Sequence, residues 1–240
     1  MPEFPIVKRY MAIAPEVTPG TPVAPTNTEF DTRYEVVTPQ NALEVDDENQ
    51  KFANGNHGET TSIAGAQSGT VEAFCKMAWG GAVGTEPNWW DAMKACGAEV
   101  LTYTTTGLSL VPSKSEDNTT YTIYVYSEQL GSTDTKIEQY AGCMGNCVIS
   151  CEGIGQPWLA NFTFTGKYVD SVDGTGLTLT GAQTTVSEKL LSNTFTIGGN
   201  ARRISSFSFD IGNEITPVID QADATGYDFF TITARRPRFN

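Results

Sequence analysis

With 240 residues, 39% hydrophobic and only 18% charged, and with Ser and Thr abundant, the composition predicts a mainly β protein whose strands carry polar outer faces; a single large β domain reaches this size. The 28 acidic residues outnumber the 15 basic ones, for a net charge of -13, which sets the molecule as a whole against nucleic acid, and no apolar run approaches the roughly 20 residues of a membrane helix. Five cysteines without paired spacing exclude a secreted disulfide framework and imply reduced thiols in a cytoplasm.

Residues 1–30 carry Pro2, Pro5, Pro15, Pro19, Pro22 and Pro25, a density that predicts an extended arm without a core of its own, followed by a single β domain with long loops over 31–240. The start, Met1-Pro2-Glu3-Phe4-Pro5, lacks the basic and then apolar pattern of an export signal. An acidic stretch follows, in which Glu29, Asp31, Glu35, Glu44, Asp46, Asp47, Glu48 and Glu59 have only Arg33 and Lys51 nearby. Within it Tyr34 to Thr38 reads as a strand ended by Pro39, and Asn54 to Gly58 as a turn. Val71, Ala73, Cys75, Met77 and Trp79 alternate onto one face of a second strand that stops at Gly80-Gly81.

One short helix is predicted at Trp89 to Gly97. Asn88 can cap it, Asp91 can meet its free amides, Trp89, Met93 and Cys96 share a side, and Gly97 ends it. Beyond it every segment reads as strand or turn. Gly107 to Val111 and Tyr121 to Tyr126 flank a polar segment, Ser113 to Thr119, that reads as the tip of a long hairpin. Asn146 to Glu152, Phe162 to Val169, Leu177 to Thr180, Asn193 to Ile197, Ile204 to Ile211 and Tyr227 to Arg235 complete the strands. No repeat or heptad is present, which removes solenoids and coiled coils.

The residues offer little chemistry. Cys143, Cys147 and Cys151 recur every four positions, but zinc patterns need a second cluster, and small buried strand cysteines are the simpler account. His57, the only histidine, lies beside Glu59 in a Gly- and Asn-rich loop, and no Gly-x-Ser-x-Gly elbow accompanies it. Asp46-Asp47-Glu48 lacks the glycine and terminal glutamate of a calcium loop, and Gly80-Gly81 and Gly198-Gly199 lack the lysine of a phosphate loop. No catalytic residue, cofactor or metal is expected. Arg235, Arg236 and Arg238 form a basic cluster, with Arg202 and Arg203 as a second pair; pairing with acidic surfaces of identical subunits fits the charge balance better than nucleic-acid binding.

The motifs Trp89 to Gly97, Glu138 to Gly145, Phe162-Thr163-Phe164-Thr165-Gly166-Lys167-Tyr168 after Pro157-Trp158-Leu159, Ser206 to Glu214 with Asn213, and Gly226-Tyr227 to Arg236-Pro237 occur in an order that resembles the tail tube (major tail) proteins of long-tailed bacteriophages. The resemblance implies a short helix ending in Cys-Gly, a Gly-rich turn at Tyr140 to Gly145, a Phe-x-Phe-x-Gly strand and a C-terminal strand pair. It also implies an antiparallel β sandwich or barrel with one short flanking helix that assembles into a ring, usually a hexamer, with stacked rings forming a tube. The expected partners are then other copies of the chain, the tape measure, terminator and baseplate proteins, and viral DNA that passes through the lumen without specific binding. No membrane partner is expected on this resemblance. The protein would reside in the virion tail after assembly in the host cytoplasm. On this reading Asp46, Asp47 and Glu48 are candidates for the lumen or ring contacts. Arg235, Arg236, Arg238, Lys114, Glu116 and Asp117 are candidates for contacts between subunits.

Two rival readings come from the residues alone. One is a carbohydrate-binding or receptor-binding β module using exposed rings among Tyr103, Tyr121, Tyr124 and Tyr126. The other is a β-sandwich glycosidase, for which no carboxylate pair stands out.

Overall fold

The computed structural model describes residues 6–26, 34–46, 63–78, 87, 89–104, 107–113, 119–129, 135–177, 189–191 and 195–240. In chain order these form β1 (Ile6–Pro15), β2 (Tyr34–Asp46), β3 (Ile63–Lys76), α1 (Trp90–Ala95), β4 (Ala98–Thr104), β5 (Gly107–Pro112) and β6 (Tyr121–Gln129). There follow β7 (Thr135–Cys151), β8 (Leu159–Gly174), β9 (Phe195–Ile197), β10 (Asn200–Arg202), β11 (Phe207–Asp210), β12 (Asn213–Ile219), β13 (Tyr227–Arg235) and β14 (Arg238–Phe239). The protein is mainly β, with one short helix, as its composition implies.

The central sheet is antiparallel and runs β1-β6-β7-β8-β3-β2. β11 continues the edge of β7 that β6 leaves, and β14 pairs with β11. The end strands β1 and β2 approach within 8 Å, Cα to Cα, but no ladder joins them, so the sheet curls without closing into a barrel.

One face of this sheet holds the main core. Met11 and Ile13 of β1, Val71, Ala73 and Cys75 of β3, Ile123 and Val125 of β6, Tyr140 and Cys147 of β7, and Phe162 and Phe164 of β8 are buried together. Onto them packs α1, whose Trp90, Ala92, Met93 and Ala95 are all buried. Six residues cannot sustain a helix in water. Tertiary packing stabilises this one, since each large apolar side chain removed from water contributes roughly 1.5–3 kcal/mol. The opposite face has its own cluster, in which Tyr10 stacks on Tyr126 at 5.0 Å between ring centres, beside Ala12 and Ile137.

A bulge in β7 lets one strand serve both faces. Ala141 pairs with Lys167 and Met144 with Thr165, so Gly142 and Cys143 together face the single residue Gly166, one residue more on β7 than on β8. Gly142 adopts φ +60°, a left-handed conformation that glycine reaches without steric cost. Beyond the bulge Gly145 faces Phe164, and a Cβ there would come within 2.6 Å of that ring and 3.0 Å of Cys96 Sγ.

Several sequence expectations change. The Tyr140 to Gly145 turn is this bulge inside a 17-residue strand. Residues 6–15, expected within an arm, are instead an edge strand that contributes Met11 and Ile13 to the core; among the described residues of that segment, the stretch 16–26 has no strand or helix. β2 runs through Pro39, because an edge strand tolerates a residue with no N–H. The long hairpin expected between Gly107 to Val111 and Tyr121 to Tyr126 does not form. β5 pairs with β4, and β6 with β1 and β7. Asn88, Trp79, Gly80-Gly81, His57 and Glu59 lie outside the described residues.

Candidate assembly surfaces

Three polar junctions hold the surface elements on the sheet. The first sits at the end of α1, where the last carbonyls of a helix have no partner within it. Gly97, at φ +71°, turns the chain out of the helix. The Asn213 amide, at the start of β12, donates through Nδ2 to the carbonyls of Cys96 and Gly145, both at 2.8 Å. Arg235, at the end of β13, donates to the Gly97 carbonyl at 2.7 Å and to Ser113 Oγ at 3.3 Å. The Asn213 N–H in turn donates to Asn146 Oδ1, and Asn146 Nδ2 donates to Asp210 Oδ1. Side chains from the C-terminal hairpin thus cap the helix, with a guanidinium placed at the negative end of the peptide dipoles.

Glu16 is the second junction. Only 5% exposed, its carboxylate accepts four hydrogen bonds. Oε2 takes the Gly20 N–H at 2.7 Å and the Thr120 hydroxyl at 2.6 Å, and Oε1 takes the Thr122 hydroxyl and the Gly142 N–H, both at 2.8 Å. This one side chain ties the end of β1 to the following turn, to β6 and to the bulge of β7. The sequence contains a signal for it, an acid just past the apolar run Met11 to Ala14 and Pro15, but three of its four partners, Thr120, Thr122 and Gly142, lie more than 100 positions away.

The third junction joins the β12–β13 turn to the sheet. Lys167 Nζ donates to Asp223 Oδ2 at 2.7 Å, and Thr225 donates to Asp223 Oδ1 through its N–H and its hydroxyl. Burial pushes the Asp223 pKa upward, but the Lys167 and Thr225 hydrogen bonds outweigh it and hold the value at about 2. A carboxylate with a folded-state pKa below its unfolded value of about 3.9 adds stability above that value, and the gain disappears as pH falls towards 2. Asp223→Asn is therefore expected to lower stability by on the order of 1–2 kcal/mol at pH 7 and by much less near pH 2, measured as thermal unfolding across that range.

The acidic and basic residues singled out from sequence do not gather into one site. Asp46 closes β2 opposite Ile63, while Asp47, Glu48, Lys114, Glu116 and Asp117 lie outside the described residues. Arg235 is half-buried at the helix junction. Arg236 is exposed and lies 3.9 Å from Glu214, and Arg238 is exposed on β14. Cys143 and Cys147 share the main core with Cys75 and Cys96, and Cys151 is buried. Burial pushes the thiols of Cys96, Cys143 and Cys147 well up from their usual value, so they are protonated core groups rather than the thiolates that bind metals or attack substrates. Of the tyrosines considered for sugar stacking, Tyr121 and Tyr126 are buried and Tyr124 is half-buried.

A surface that sequence reasoning missed lies where β7 ends and β8 begins. Trp158 meets Phe207 edge-on at 4.8 Å, Phe207 stacks on Phe239 at 6.3 Å, and Phe239 stacks on Phe195 at 5.7 Å. Phe239 is 53% exposed, and Ile154 and Leu191 on neighbouring loops are 68% and 61% exposed. Aromatic residues at Phe195, Phe207 and Phe239 are visible in sequence, but the contacts of Phe239 with Phe207 and Phe195 join residues 32 and 44 positions apart.

No protein-family model matches the chain, and no curated protein was found to be similar to it.

Proposed function

We propose that this chain is a structural subunit that assembles with copies of itself into stacked, hexameric rings of the phage tail-tube type, a channel for DNA ejection. The observation that carries the reading is the convergence of its separated motifs. Cys96-Gly97, Gly145, Asn213 and Arg235 belong to four of the segments whose order resembles tail tube proteins, and they meet in one hydrogen-bonded junction. Two further features support it. β1 and β2 end the sheet unjoined, which leaves backbone groups that a neighbouring subunit can satisfy. The net charge of -13 suits a channel that must not retain phosphate backbones.

Negative-stain electron microscopy of the purified chain over a range of concentrations tests the proposal. Annular particles with a central hole, or stacked tubes, are the expected result. A strictly monomeric sample at every concentration counts against it. The carbohydrate-binding alternative has lost two of its four tyrosines to the interior, and a glycan array without hits would remove it.

A further inference from the structure

We infer that β12 and β13, with the turn between them, form a strap hinged at Gly212 and Arg236, which detaches as one unit from the face of the sheet while β11 and β14 stay paired with β7. The motion belongs to the single chain and holds whether or not the chain forms a tube.

Register shows where such a unit begins. Phe209 stands opposite Phe239 and Asp210 opposite Arg238, the Arg236 N–H donates to the Gly212 carbonyl at 2.8 Å, and Asn213 and Glu214 stand opposite Arg235 and Ala234. Each step along one strand is matched by one step along the other, so β11 and β12 run against β13 and β14 as one continuous two-stranded ribbon. Its first half is built into the central sheet, where Phe207 to Asp210 pair with Cys151 to Val148 and the Ile211 N–H donates to the Cys147 carbonyl. Its second half has no ladder to that sheet. It folds over the sheet instead, with Phe229 Cα on the β7 bulge, where a Cβ at Gly142 would come within 2.8 Å. The two halves part at Gly212, which has φ +67° and donates its N–H within its own strand, to Asp210 Oδ1. A glycine in the left-handed region at the point of divergence is where a ribbon can change direction at least cost.

The strap is held differently from the sheet beneath it. Phe230 and Ile232 are its only buried residues, whereas β7 and β8 supply Tyr140, Cys147, Phe162 and Phe164 to the main core. Hydrogen bonds to the rest of the chain stand at its two ends. At the base, Asn213 and Arg235 reach Asn146, Ser113 and the carbonyls of Cys96, Gly97 and Gly145. At the tip, Asp223 accepts from Lys167, and the Gln67 N–H donates to the Thr225 carbonyl at 2.9 Å. An element with few buried apolar side chains, whose ladder is satisfied within itself, opens at a lower free energy than the core it rests on. The opening is cooperative because a strap lifted only part-way would leave Lys167, 7% exposed, and the carbonyls at the base without either their partners or full access to water.

Native-state hydrogen exchange of the wild-type chain, I123V and D223N at pH 7, under conditions where exchange reports equilibrium opening, tests the strap. In the wild type the amides of β12 and β13 are expected to exchange through one shared opening, at least about 100-fold faster than those at the centres of β7 and β8, while β11 keeps the protection of β7. Ile123 lies in β6, in the core that stays folded when the strap opens. I123V should therefore speed exchange at the centres of β7 and β8 about fivefold and leave β12 and β13 at the wild-type rate. D223N should speed β12 and β13 about tenfold, because their opening breaks the contact with Lys167. If I123V speeds β12 and β13 as much as β7 and β8, the ribbon opens only with the whole protein and the strap is overturned. An unchanged rate for β12 and β13 in D223N means that the tip stays seated, which also overturns it. Exchange of β11 together with β12 removes the hinge from Gly212.

Discussion

Glu16→Ala is expected to lower the stability of the protein by about 3 kcal/mol or more, a fall in Tm on the order of 10 °C. The loss of burial by the side chain is the smaller part of this. The larger part is what the truncation leaves behind: the N–H groups of Gly20 and Gly142 and the hydroxyls of Thr120 and Thr122 lose their acceptor in a buried site. The hydroxyls can rotate towards other acceptors, whereas the two amides are fixed by the backbone. Differential scanning calorimetry of the variant checks the size of the effect.

Glu16→Gln sharpens the same argument. Each carboxylate oxygen accepts one backbone N–H, Gly20 on Oε2 and Gly142 on Oε1. Glutamine has a single acceptor oxygen, so either orientation of its amide aims an NH₂ group at a backbone N–H. The near-isosteric variant is therefore expected to be almost as destabilised as the alanine variant. A Gln variant that melts within a degree or two of wild type would show that the four hydrogen bonds are not what holds the turn after β1.

These polar junctions mark the boundary of what the sequence disclosed. The mainly β class, the short helix and its Gly97 stop, and strand β13 with limits Tyr227 and Arg235 follow from local pattern, because alternation and turn chemistry act over a few residues. Pairing was not legible in the same way. Nothing in the local pattern tells β5 that its neighbour is β4 and not β6, since both lie within a short stretch of chain from it. The glycines at 142 and 145 read as a turn, although one forms a bulge and the other makes room for Phe164. The prolines near the start suggest an arm, but between Pro5 and Pro15 the chain is proline-free and places Met11 and Ile13 in the core. The aromatic surface and the Glu16 junction were hidden for the same reason: each is assembled from residues far apart in the chain. The acidic and basic candidates came from charge alone, which carries no information about where a side chain faces.

Asn213→Asp is the most discriminating change at the helix junction. In the wild type, Nδ2 donates to two carbonyls, those of Cys96 and Gly145. An ionised aspartate presents an acceptor oxygen to both, with no donor, beside the negative end of a helix. The expected cost at neutral pH is about 3 kcal/mol, larger than that of Asn213→Ala, which only leaves the carbonyls unpaired. Such a carboxyl would have its folded-state pKa raised above the unfolded value, since the protonated form can donate to one carbonyl and the charged form to none. The penalty is then fully present above the raised folded-state pKa, fades as pH falls from there to about 4, and is gone below that, where both states are protonated. Chemical denaturation of wild type, N213D and N213A across that range gives three curves. N213D should lie below N213A at pH 7 and rise towards or past it in acid. If N213D keeps wild-type stability at pH 7, the Asn213 amide does not cap the helix, and the meeting of the separated motifs loses its energetic basis.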